Sequence, residues 1–134
     1  MSHLLSITVA RAFDPALRAT REALAENGFG ILTEIDLQAT LKAKLDVDLD
    51  PQNILGVCRP TLAHAALTVE PAAGVLLPCT VVVRYRDNAS TTVDVLDPQA
   101  MVTVTGNEAL TPIAAEAAAR LSAALVQLAG LAPM

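Results

Sequence analysis

Three side chains in this sequence carry the chemistry for a site. Cys58 lies in "ILGVCRPTLAHAAL" (54–67), between an apolar run and Pro60. Cys79 follows Pro78 in "LLPCTVVV" (76–83), and His64 falls between the two cysteines. Pro60 is a start signal for a short helix. A cysteine just before a helix start sits where backbone N–H groups favour the thiolate, which is the reactive and metal-binding form. Arg59 adds a positive neighbour. These residues support a thiol or ligand site in which Cys58 is nucleophile or ligand, Cys79 the resolving thiol or second ligand, and His64 an accessory base or ligand. Such a trio offers soft and borderline donors suited to zinc or copper. Its spacing is not that of a compact finger, and no fourth ligand stands out. The alternative is that both thiols only pack, since cysteine is among the most buried residue types.

Other chemistries find less support. "DVDLDP" (46–51) begins like a calcium loop, but its sixth position is Pro51 instead of glycine and its twelfth is Val57 instead of glutamate. It reads as a solvated acidic connection. "NGFGILT" (27–33) has two glycines with the helix before them, whereas a dinucleotide cradle needs the helix after. No Walker motif, G-x-S-x-G elbow or H-E-x-x-H occurs. Glu34 and Asp36, two apart, could share one face of a strand as an acid–base pair; a polar strand end followed by a helix cap explains them more simply.

The elements that must position these residues follow from the bulk composition and its patterning. A chain of 134 residues, 53% hydrophobic and 17% charged, reads as one folded domain spanning 1–134. Its aromatic residues are only Phe13, Phe29 and Tyr85, so the core must rest on Leu, Val, Ile and Ala. Such a core gains little per residue, which favours continued burial across a homodimer interface. A net charge of −5 and the near absence of aromatics argue against nucleic-acid binding. No apolar run approaches the ~18 residues of a membrane span. Two cysteines without an export signal point to reduced thiols and a cytoplasmic location.

Hydrophobic periodicity gives the order β-α-β-α-β-α-β-β-α. Strands are expected at 4–10, 29–35, 53–58, 75–87 and 90–97, with "MVTV" (101–104) extending the last. Asp14-Pro15 caps a first helix with Leu17, Thr20 and Leu24 on its inner face. Asp36 caps a second, with Leu37, Leu41 and Leu45 directed to the core. Thr111-Pro112 opens the longest helix, with Ile113, Ala117, Leu121, Leu125 and Leu128 as its buried stripe. The fold class is α+β, a mainly antiparallel sheet with helices packed on one face.

The fragments "GFGILTEID", "TLKAKL", "ILGVCRPTLAHAAL", "GVLLPCTVVV" and "VLDPQAMV", in order from Gly28 to Met101, resemble the bacterial and archaeal domain-of-unknown-function family numbered 302. The matching positions are Gly56, Cys58, Pro60, Ala63, Leu67, Leu77, Pro78, Cys79, Asp97 and Pro98; Arg59 stands where a smaller polar residue is expected. The resemblance implies a small, dimeric α+β domain and no particular activity. Two readings stand: a domain with a Cys58–Cys79 thiol or ligand site binding a small ligand or a metal, supported by Arg59, Pro60 and Pro78; or a non-enzymatic binding or assembly module whose cysteines are structural. The residues specify no cofactor, substrate or metal.

Overall fold

The structure, a computed structural model, describes residues 3–131. Five strands, β1 (Leu4–Val9), β2 (Gly30–Asp36), β3 (Gln52–Cys58), β4 (Cys79–Asp87) and β5 (Ser90–Leu96), form one sheet in the order β1-β5-β4-β3-β2. Every neighbouring pair is antiparallel. The expected α+β class and element order hold.

Helices α1 (Phe13–Glu26) and α5 (Thr111–Ala129) pack against each other and against the sheet. The main core joins Leu55, Val57, Val81, Val83, Val93 and Val95 of the sheet to Leu17 and Leu24 of α1 and Leu121, Leu125 and Leu128 of α5. Buried alanines at 16, 19, 23 and 124 let the helices lie close without aromatic side chains. Thr20, also buried, satisfies its hydroxyl by donating to the Ala16 carbonyl at 2.7 Å. The 108–129 segment is long and apolar enough to cross a membrane by length and composition, despite the charges at Glu116 and Arg120. Here its leucine stripe belongs to the main core.

Helices α2 (Leu37–Leu45), α3 (Pro60–Val69) and α4 (Ala100–Thr105) are shorter. A second, small core of Ala66, Ala73, Met101 and Leu110 holds α3 and α4 together at one end.

Several local expectations are corrected. The first helix begins at Phe13, with Ala12 as a cap that offers no side chain. Asp14 therefore lies in the first turn, where its charge suits the helix dipole without capping. Residues 71–76 form a 3-10 turn opened by Pro71, so the strand starts at Cys79 instead of 75; the Leu77–Pro78 bond is cis. "MVTV" is helical in α4, which ends at Gly106 with φ +70°. No residue of α2 is buried, contrary to the core-facing stripe expected of it.

Candidate functional site

Cys58 ends β3 and pairs with Gly30 of β2, while the residue before it, Val57, pairs with Cys79 of β4. Directly opposed residues share a face and successive residues alternate. Cys79 therefore joins Val57 on the helix-covered face and packs against the main core, whereas Cys58 lies one residue further along β3, opposite Gly30. The two thiols are free and are not near each other. The expected juxtaposition fails because the strand register is offset by one residue.

The electrostatics run against an activated thiolate as well. Burial raises the Cys79 thiol to about 11, with a smaller contribution from charge on Cys58. Burial also raises Cys58, despite its place before α3. Desolvation of the charged form outweighs any help from the helix N-terminus.

Arg59 does not serve Cys58. Its Nη1 donates to the Asn27 carbonyl at 2.6 Å, tying the start of α3 to the C-terminus of α1. Gly28, at φ +85°, makes room for it: a Cβ there would lie 2.4 Å from Nη1. The Nε of Arg59 is buried without a partner.

Cys58, Arg59, Leu62, Cys79 and Met101 border one apolar cavity of about 20 Å³, room for about one water. His64 is exposed and absent from that lining, so the Cys58–His64–Cys79 trio is not assembled. Among the described residues no three His, Cys, Asp or Glu side chains are grouped to hold a metal.

Pro60 opens α3 at its first turn, as its position predicts. Pro78 packs over Gly56, where a Cβ would come within 2.7 Å of the proline Cγ and 2.4 Å of Thr33 Oγ1. The glycine and proline of the "ILGVC" and "LLPC" fragments are thus explained by close packing.

Glu34 and Asp36 are engaged structurally. Glu34 is paired with both Arg21 Nε, at 2.9 Å, and Arg21 Nη2, and accepts from Asn53 Nδ2 at 2.8 Å. The Arg21 hydrogen bond holds its carboxyl below the usual range, opposite to what a general acid requires. Asp36 caps α2 by accepting from the Ala39 N–H at 3.0 Å. In the acidic connection, Asp46 and Asp48 pair with Lys42 at 3.0 and 3.1 Å.

The residues that sequence reasoning missed are apolar. From β2 through α2 into the following connection, Leu32 is 63% exposed, Ile35 45%, Leu45 66% and Val47 43%. β2 is an edge strand, bonded only to β3, with a bulge between Ile31 and Thr33. The leucine spacing of α2 was visible in the sequence; that nothing among the described residues covers Leu45 was not.

The comparisons agree with the fold. The family described as "Domain of unknown function DUF302" matches residues 5–128. A crystal structure of an uncharacterized conserved protein DUF302 from Bacillus stearothermophilus is similar at 29% identity and TM-score 0.87, over 96% of this chain and 99% of that one. No curated protein matches. By its family match and by its fold, the chain belongs to the DUF302 family.

Proposed function

We propose that the protein acts as a non-enzymatic assembly module, a homodimer whose copies meet along the edge formed by β2 and α2. The observation that carries this reading is the exposure of Leu32, Ile35, Leu45 and Val47 in one run of chain at an open sheet edge. Large exposed apolar groups gathered in one region mark interaction surfaces. A second copy suits this edge because an antiparallel strand pairs with its own two-fold mate, which also closes the assembly. The aromatic-poor core is a further reason for burial to continue between copies.

In this reading Cys58 and Cys79 are structural. Both thiols are raised by burial, and the cavity they border is too small for a metabolite. Free thiols fit a reducing, cytoplasmic setting. The net charge of −5 disfavours a nucleic-acid partner.

Light scattering tests the proposal. The wild-type chain is expected at twice its 13.9 kDa mass at micromolar concentration. The L32D/L45D variant is expected at the single mass with an unchanged circular dichroism spectrum. A wild-type monomer, or a variant that remains dimeric, overturns it. Rapid reaction of both thiols with a chromogenic reagent in the native protein would restore the thiol-site reading.

A further inference from the structure

At the end of the sheet opposite the β4–β5 turn, a hollow of about 310 Å³ opens between the start of β1, the β5–α4 turn, α4 and the start of α5. This volume is at the lower end of the range that small-molecule sites occupy, about 300–1,000 Å³. Its polar lining is His3, Asp97, Gln99, Thr103 and Thr111, with no lysine or arginine among them.

Asp97 is the only carboxylate in that lining. Its Oδ1 accepts from the Gln99 N–H at 2.9 Å, and its backbone N–H donates to the His3 carbonyl at 2.7 Å. Among the described residues its Oδ2 has no partner. Thr20, Thr40, Thr68 and Thr105 each donate their hydroxyl to the backbone carbonyl four residues earlier. Thr103 and Thr111 make no such bond among the described residues, and both border the hollow. The smaller hollow beside Tyr85 and Asp87, about 240 Å³, differs: Asp87 already holds the Ala89 N–H and Arg86.

We infer that this hollow binds a small hydroxylated amine, with the ammonium on Asp97 Oδ2 and the hydroxyls on Thr103, Thr111 and Gln99. One carboxylate with no lysine or arginine among the described lining residues selects positive charge, and hydroxyl and amide groups select a ligand that both donates and accepts. The site lies on elements other than β2 and α2, so it stands or falls independently of the dimer.

The test uses glucosamine as probe and glucose as its neutral counterpart, followed by amide resonances of the full chain. Glucosamine is expected to shift the Gln99, Thr103 and Thr111 amides, with glucose at least about tenfold weaker. Asp97→Asn keeps an oxygen to cap Gln99 and is expected to weaken glucosamine at least about tenfold. T103A/T111A is expected to weaken both sugars and leave the remaining spectrum unchanged. No shift at these amides up to about 20 mM glucosamine, equal binding of glucose, or undiminished binding by Asp97→Asn each overturns the inference.

Discussion

Helices α2 and α5 carry the same sequence signal and meet opposite fates. Leu37, Leu41 and Leu45 repeat every fourth residue in α2, much as Ala117, Leu121 and Leu125 do in α5. The α5 stripe is buried against β1 and α1, whereas no residue of α2 is buried. Length and placement account for the difference. The 19 residues of α5 pack against both α1 and β1, and the 9 of α2 follow an edge strand and contact only β2 and β3 appreciably. A periodic apolar stripe identifies a face that gains from burial. It does not say whether the covering surface belongs to the same chain.

The comparison breaks if the two stripes respond alike to truncation. Leu121→Ala is expected to cost about 2–5 kcal/mol, because it opens a cavity at a fully buried site. Leu45→Ala, measured at concentrations below dimer dissociation, is expected to stay within about 0.5 kcal/mol of wild type. Urea denaturation of both variants reads the contrast directly; a large loss at Leu45 would mean that α2 is covered within the chain.

The cysteines sharpen the same contrast between core and periphery. Cys79→Ser places a hydroxyl beside the main core and is expected to cost about 1–3 kcal/mol. Cys58→Ser, at the end of β3 and not packed against the main core, is expected to cost less. Equal costs in thermal melts would contradict the packing of Cys79, and not Cys58, against the main core.

The smallest effect concerns Glu34, at the β2 edge. Its folded pKa is lowered by Arg21, so its contribution to stability is present above its unfolded pKa and fades as pH falls through the folded value. The pair is partly exposed, which limits its worth. Glu34→Gln is expected to flatten the acid side of the stability–pH curve modestly and leave neutral Tm nearly unchanged. An unaltered acid limb would show that the pair is not formed in solution.

The element order and the buried stripes of α1 and α5 were legible because periodicity reports directly on long, covered elements. Val75, Leu76 and Leu77 looked like strand because they are apolar and continuous with β4; the 3-10 turn that Pro71 opens takes up Val75 and Leu76 instead. "MVTV" carries two β-branched valines, yet it lies between the turn at Asp97-Pro98 and Gly106 and folds as helix. The candidate site was read less well. Cys58 and Cys79 are brought to neighbouring strands, but the register, which spacing does not encode, sets Val57 and not Cys58 opposite Cys79. The exposed edge from Leu32 to Val47 was hidden for the converse reason: its residues look like core.

The central claim is that this edge is covered by a second copy, and hydrogen–deuterium exchange across a dilution series tests it most directly. The account predicts that amides of residues 30–47 lose protection as the chain is diluted through dimer dissociation, while those of β4, β5 and α5 do not change. Exchange in 30–47 that is independent of concentration, in a chain shown to be dimeric, would contradict it.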